Sequence, residues 1–149
     1  MKRTILMLGL AVLLSACSTT RLSDAETLAL YRTHAGEPVK DFQYFGQING
    51  WTPLGNSALA VWTKPSQAYL LELYGPCQDL DYAPAISLSN FGSRVSARFD
   101  SVQVLGGGTG SIRIACRIEN IRPLDVKALK QAQKDLREAS VVERAAAGN

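Results

Sequence analysis

Ile112-Arg113-Ile114-Ala115-Cys116-Arg117-Ile118-Glu119 is the stretch whose reading decides the fold. Ile112, Ile114, Cys116 and Ile118 fall on one side of a period-two chain. Arg113, Ala115, Arg117 and Glu119 fall on the other. That alternation is the pattern of a strand with one face in a core and one in solvent. It places Cys116 on the buried side among isoleucines.

Working outward, Arg94 to Phe99 alternates in the same way, with Val95, Ala97 and Phe99 opposite Arg94, Ser96 and Arg98. Val102 and Val104 continue an apolar face after a bend at Asp100-Ser101, and Ala85 to Ser89 is another short run. Val39 to Phe45 mixes β-branched and aromatic residues and ends at Gly46. Ala58 to Thr63 and Gln67 to Tyr74 flank Lys64-Pro65-Ser66, a hairpin turn. In the second of these Tyr69, Leu71 and Leu73 share a face. Short strands between Gly, Pro and Asn turns predict a mainly β fold, a small antiparallel barrel or sandwich. The pattern leaves both architectures open.

Two helices bracket the strands. Ser23 with Glu26 three residues on is a capping-box signature. Ala25, Leu28, Ala29 and Leu30 carry a helix of about three turns that Gly36 and Pro38 stop. At the other end Pro123 and Asp125 open a helix from Val126 to about Ser140. Its apolar stripe is thin, resting on Val126, Leu129 and Leu136, and the remaining positions suit solvent.

The N-terminus carries a different message. Lys2 and Arg3 precede an apolar run from Ile5 to Leu14, and small residues follow, which is the anatomy of an export signal. The run is too short to span a bilayer, which takes about 20 apolar residues. Polar Ser18, Thr19, Thr20 and Arg21 follow at once. Leu14-Ser15-Ala16-Cys17 resembles the lipobox of bacterial lipoproteins. The resemblance implies acylation of the Cys17 thiol, cleavage before Cys17 and acylation of the new amine. An ordinary cleaved signal is the alternative, and it would leave an unpaired cysteine at the N-terminus. Several acyl chains, at about 0.8 kcal/mol per buried methylene, hold a protein where one chain holds only marginally. Ser18 stands where an aspartate is the usual inner-membrane retention signal, so the resemblance implies the outer membrane, with the mature domain facing the periplasm.

On this reading residues 1–16 are a lipoprotein signal peptide and 17–22 a tether. Residues 23–140 are a single mainly β domain with terminal helices, and 141–149 a frayed tail. The formal charge of +3 is inflated by the signal, which holds two of the 16 basic residues. The mature balance is nearly even, and no polybasic run argues for nucleic acid. With Cys17 as the anchor, Cys77 and Cys116 remain. In an oxidising periplasm a disulfide between them is expected to persist. It would close a loop of about 40 residues, for which the chain-entropy model gives about 4 kcal/mol. Two buried free thiols or a two-ligand metal site are the alternatives, and the one histidine, His34, is distant in sequence.

Several features invite a chemical reading and each has a plainer one. Gly106-Gly107-Gly108-Thr109-Gly110 suggests a phosphate loop, but no lysine follows and a strand comes next, so it reads as a hairpin loop. Asp79 and Asp81 are two acids in a loop, whereas calcium asks for six to eight oxygens; they read as turn-forming acids. His34 sits at the end of the first helix, where a cation suits the dipole. Tyr44, Phe45, Trp51, Trp62 and Tyr69 form the aromatic-rich third of the domain. Such rings fill small β cores, yet they also platform sugars and apolar ligands. Trp51, Trp62 and Tyr69 are the candidate ligand surface. Arg94, Arg98, Arg113 and Arg117 fall on outward strand faces, either as a basic patch or as solvated positions that discourage edge pairing.

Beyond the lipobox, the mature chain resembles a family of uncharacterised proteobacterial lipoproteins known only as a domain of unknown function. The residues that carry the resemblance are Tyr44-Phe45-Gly46, Asn49-Gly50-Trp51-Thr52-Pro53-Leu54-Gly55, Tyr69-Leu70-Leu71, Gly75-Pro76-Cys77, Arg98-Phe99-Asp100 and Cys116-Arg117-Ile118. It runs from the first helix into the last and implies no activity, substrate or catalytic residue. The sequence shows no nucleophile–base pair, metal-ligand cluster or cofactor fingerprint. No catalytic residue, metal or cofactor is therefore assigned. The expectation is a non-enzymatic module held to the membrane through Cys17, with an envelope protein or peptidoglycan as candidate partner. The alternatives are a small-ligand carrier, which needs a cavity behind Tyr69, Leu71 and Ile114, and an envelope enzyme whose residues converge only on folding.

Overall fold

The computed structural model describes residues 21–106 and 115–148. The signal segment 1–16, Cys17 and most of the tether, Gly107 to Gly110, Ile112, Arg113 and Ile114 lie outside the described residues.

The helix over Asp24–Thr33 (α1) begins where the capping box places it. The Ser23 amide and hydroxyl both donate to the Glu26 carboxylate at 2.8 Å, and the Glu26 amide donates back to the Ser23 hydroxyl at 3.3 Å. These bonds, the backbone one first, pull the Glu26 pKa below its ordinary value. The cap therefore helps the fold above the ordinary carboxylate range and loses that help as pH falls through the lowered pKa. Eight strands follow. They are β1 (Asp41–Gln43), β2 (Gly50–Pro53), β3 (Ala58–Lys64), β4 (Gln67–Leu73), β5 (Ala85–Leu88), β6 (Arg94–Ser96), β7 (Ser101–Leu105) and β8 (Ala115–Leu124). A short 3-10 turn, Leu80–Tyr82, separates β4 from β5, and a long helix α2 (Val126–Ala147) ends the fold.

Six strands form one antiparallel sheet in the order β2-β3-β4-β8-β7-β5, curled into a half-barrel, while β1 and β6 form a separate two-stranded ribbon. The fold is thus mainly β with one short helix and one C-terminal helix, as the alternation predicts. The two faces of the sheet build two cores. Leu59, Val61, Leu71, Leu73, Ile118 and Ile121 share one with Phe42 and Val95 from the ribbon. Ala58, Ala60, Ala68, Leu70 and Leu124 share the other with Leu28 and Tyr31 of α1 and Val126 and Leu129 of α2. The centre of the sheet is therefore buried on both faces. That explains why β3 reads as a near-continuous apolar run while β7 and the start of β8 alternate.

Strand β8 organises the sheet. Its first residues pair with β7 and the rest with β4. A register shift opposite Glu72 and Leu73 inserts an extra residue, so Ile118 and Ile121, three apart, both reach the first core. The strand also runs further than expected. Pro123, read as a helix opener, pairs with Tyr69 in the ladder, and its carbonyl accepts the Gly36 amide at 2.8 Å. The helix begins at Val126, where the sequence places it, capped by Asp125, whose carboxylate accepts the Ala128 amide at 2.9 Å.

Two further expectations are corrected. Arg94 to Phe99 is not one strand: β6 ends at Ser96, Arg98 adopts a left-handed backbone (φ 69°), and Phe99 is 86 % exposed. Helix α2 continues to Ala147 rather than stopping near Ser140, carried by Glu143, Arg144 and three alanines of high helix propensity. Beyond Gln133 it leaves the core. Leu136, expected on the buried stripe, is 43 % exposed, and Val141 and Val142 face solvent. Among the described residues no helix is long and apolar enough to cross a membrane.

Candidate functional site

The β2–β3 hairpin and the start of α2 enclose an open groove of about 390 Å³. Trp51, Thr52, Asn49 and Gly50 line one wall, and Trp62, Pro65 and Lys130 close it. Register sets this up, because Gly50 pairs with Trp62 and leaves room beside the indole where a side chain would otherwise stand. The Asn49 amide donates to the Trp62 carbonyl at 2.7 Å, pinning the hairpin end. Trp62 is half-buried and its ring meets Tyr31 of α1 edge-on, 6.4 Å between centroids and 88° between planes. Tyr31 in turn accepts a bond from the Gln133 amide of α2 at 3.3 Å, and Lys130 donates to the Pro65 carbonyl at 3.3 Å. The indole is therefore fixed by both helices. An apolar ring beside an asparagine, a threonine and a lysine can stack a sugar-like ring and bond its hydroxyls.

The three nominated aromatics do not converge. Trp51 and Trp62 both border the groove, but on opposite faces of the sheet: Trp51 pairs with Val61 and packs on the first core, as Tyr69 does, whereas Trp62 packs on the second. Trp62 pairs with Ala68 and Tyr69 with Val61, so the pleat turns the two rings apart. Tyr69 stacks on Phe42 of the ribbon, 4.5 Å between centroids and 14° between planes, and its hydroxyl accepts the Gln67 amide at 3.0 Å. That ring belongs to the core. Of the four basic positions, Arg113 lies outside the described residues, and Arg94 is set apart from Arg117. Arg94 is ion-paired to Asp41 across the ribbon, whereas Arg117 lies on β8 of the large sheet, and among the described strands β6 is paired with β1. Arg98 is exposed at the turn after β6, where its amide donates to the Ile118 carbonyl at 2.7 Å.

The cysteines do converge. Cys77, in the loop after β4, and Cys116, on β8, form a disulfide with 5.6 Å between Cα atoms. Both are buried in the first core, as the alternation around Cys116 predicts. His34 closes α1, and its carbonyl accepts the Asp125 amide at 2.9 Å, joining the end of one helix to the start of the other. Asp79 has a left-handed backbone (φ 61°) that starts the 3-10 turn. Among the described residues no group of three or more His, Cys, Asp or Glu side chains could hold a metal ion.

Asp81 is the acid the fold disfavours. Burial first, and then the negative charge of Asp24 at the start of α1, raise its pKa above the ordinary 3.8. A raised carboxylate pKa means the folded chain holds its proton longer than the unfolded chain. Relative stability is then gained below the ordinary value and lost as pH rises through the folded one. Asp81→Asn is expected to raise the denaturation midpoint slightly at pH 7 and to leave it unchanged well below pH 3.8. Paired denaturant melts at the two pH values check this.

Asp100, which in the sequence reads as no more than part of a bend, is the buried carboxylate among the described residues. It accepts the Ser89 hydroxyl and the Ser96 amide, each at 2.7 Å, while its own carbonyl accepts the Ile118 amide at 3.0 Å. Ser89 passes the link on by accepting the Ser101 amide at 2.9 Å. The Asp100 carboxylate thus ties the end of β5 to β6 and, through Ser89, to the start of β7, while its backbone carbonyl reaches β8. The spacing Ser96–Asp100 is the signal that could have shown it, since aspartate side chains bond nearby backbone at turns. A second groove of about 400 Å³ lies between α1 and the outer half of α2, with Leu22, Leu30 and Leu136 as its apolar lining and Arg21 and Arg137 at its rim.

No curated protein and no solved structure matches this chain. The description of a family of unknown function (DUF6491) matches residues 1–140, from the apolar N-terminal run through the sheet and into α2. The match spans both cores, the disulfide and the tryptophan groove, and the chain belongs to the DUF6491 family.

Proposed function

We propose that this protein is a bacterial, proteobacterial-type lipoprotein, held to the outer membrane by acyl chains on Cys17, whose periplasmic domain binds an envelope partner without catalysing a reaction. The observation that carries the reading is Leu14-Ser15-Ala16-Cys17 at the end of a charged-then-apolar run too short to span a bilayer. The buried disulfide supports an oxidising compartment. The groove under Trp62 supports a binding role, and its mix of ring, amide, hydroxyl and ammonium suits a saccharide such as peptidoglycan better than nucleic acid. A carrier with an apolar interior is less well supported, because the Phe42 ring is stacked on Tyr69 where that reading wants a ligand.

Cys17→Ser removes the acyl acceptor. The wild-type chain is expected to incorporate a labelled fatty acid and to fractionate with the outer membrane, and the variant to do neither. Equal labelling of both chains would end the lipoprotein reading. For the groove, Trp62→Ala should weaken retention on insoluble peptidoglycan while leaving the disulfide intact. Unchanged retention, or none by the wild type, would leave an envelope protein as the partner to seek by crosslinking.

A further inference from the structure

The chain has four phenylalanines, and all four lie in or beside the β1–β6 ribbon. Phe42 points into the core and is 2 % exposed. The other three stand at the ribbon's margins, with Phe45 74 %, Phe91 90 % and Phe99 86 % exposed. Each sits directly beside a residue of left-handed backbone: Phe45 precedes Gly46 (φ 83°), Phe91 precedes Gly92 (φ 58°) and Ser93 (φ 60°), and Phe99 follows Arg98 (φ 69°). Ser93 and Arg98 hold that conformation without being glycine, which is uncommon and costs free energy. The turns are thus shaped at some expense, and what they do is carry rings out of the fold.

The cations are on the same element. Lys40, Arg94 and Arg98, in or flanking the ribbon, are exposed; Arg94 pairs with Asp41, Asp100 is buried, and Glu37 is the exposed carboxylate nearest in sequence to Lys40. The Lys40 carbonyl accepts the Ala97 amide at 2.9 Å, and the Tyr44 amide donates to the Ser93 carbonyl at 2.8 Å, so both ends of the ribbon are fixed. Separate rings around a fixed plate with Lys40 and Arg98 exposed at its margins do not make a groove for a peptide. They match a surface into which individual rings sink while cations meet negative headgroups.

We infer that the outer face of the β1–β6 ribbon docks on an anionic phospholipid surface through Phe45, Phe91 and Phe99, with Lys40 and Arg98 against the headgroups. The choice of a bilayer over a protein partner rests in part on the proposed anchor at Cys17, which would hold the domain beside one. The docking itself adds an orientation that an anchor on a tether does not supply. The ribbon lies flat on the membrane and the Trp62 side of the groove, on the opposite face of the sheet, is turned towards the periplasm.

The test uses the full chain with vesicles of phosphatidylcholine alone, or of phosphatidylcholine with an equal share of phosphatidylglycerol, and reads backbone hydrogen exchange. Segments 43–47 and 91–99 are expected to exchange several-fold more slowly on the anionic vesicles, and added salt should restore the faster rate. The β3–β4 hairpin should not change. The triple variant Phe45→Ser/Phe91→Ser/Phe99→Ser should lose the slowing, as should Lys40→Gln/Arg98→Gln, whose exposed positions keep folding out of the comparison. Equal exchange on both vesicles, or slowing that survives either variant, would overturn the proposal. So would slowing without vesicles that grows with protein concentration, since a second copy would then be the occupant. Intact mass on the same samples reads acylation of Cys17. An unacylated chain with anion-dependent slowing would remove the anchor and keep the ribbon, and an acylated chain without it would do the reverse.

Discussion

Cys77→Ala and Cys116→Ala are each expected to cost about 2–5 kcal/mol of stability, the range for removing a native disulfide from a small disulfide-bonded domain. The double variant should cost little more than either single one. Breaking the bond is the main effect, and each substitution alone breaks it. The bridge joins the loop after β4 to β8, two elements that the ladder also brings together. Its contribution therefore lies mostly in the unfolded chain, where it holds residues 39 positions apart within bonding distance. Cys77 has a second tie, its amide donating to the Asn56 carbonyl at 2.7 Å in the β2–β3 turn, so the reduced loop should stay docked until the whole domain unfolds. Denaturant melts with and without reductant measure the loss. Alkylation under denaturing conditions without reduction should leave both thiols unmodified, and two alkylated cysteines at 77 and 116 would show that packing alone holds the sheet.

Asp100→Ala is expected to cost about 3 kcal/mol, because hydrogen bonds to a charged acceptor contribute about 1.5–3 kcal/mol and their buried donors would be left unpaired. The Ser96 amide and the Ser89 hydroxyl are those donors. Asp100→Asn keeps one acceptor oxygen and should recover part of the loss. Stability from chemical denaturation ranks the three proteins, and an alanine variant as stable as wild type would show that the network around Asp100 contributes nothing net. The measured loss should be confined to stability, with retention on peptidoglycan unchanged, since Asp100 touches neither groove.

Local signals were legible and long-range ones were not. The capping box at Ser23 and the Lys64-Pro65-Ser66 hairpin depend on a few neighbouring residues, and each stands where it was read. The alternation around Cys116 gave the correct inward face because that part of β8 has solvent on its other side. The same logic failed at Phe99. There the chain leaves the strand at Ser96, whose amide is taken by the Asp100 side chain, a bond that no period reveals. It failed again at Pro123. A proline in a ladder needs a place where no amide is wanted, and only the tertiary partners Tyr69 and Gly36 supply one. The bulge opposite Glu72 resets the phase of β8 and is equally silent in sequence. For the site, residue type nominated the three aromatics, and the pleat decided that Trp51 and Tyr69 would turn to one face and Trp62 to the other.

The place of β8 in the chain also bears on when the fold can close. It supplies the middle of the sheet, the second half of the disulfide, and partners for Ala35 and Val39 near the other end of the domain. Until residues 115–124 are present, β4 and β7 have no neighbour on their inner edges, and neither core is sealed. A chain that emerges N-terminus first therefore keeps this seam open until β8 arrives. Folding is completed only as the last quarter emerges, which leaves two unpaired strand edges open to other chains in the interval.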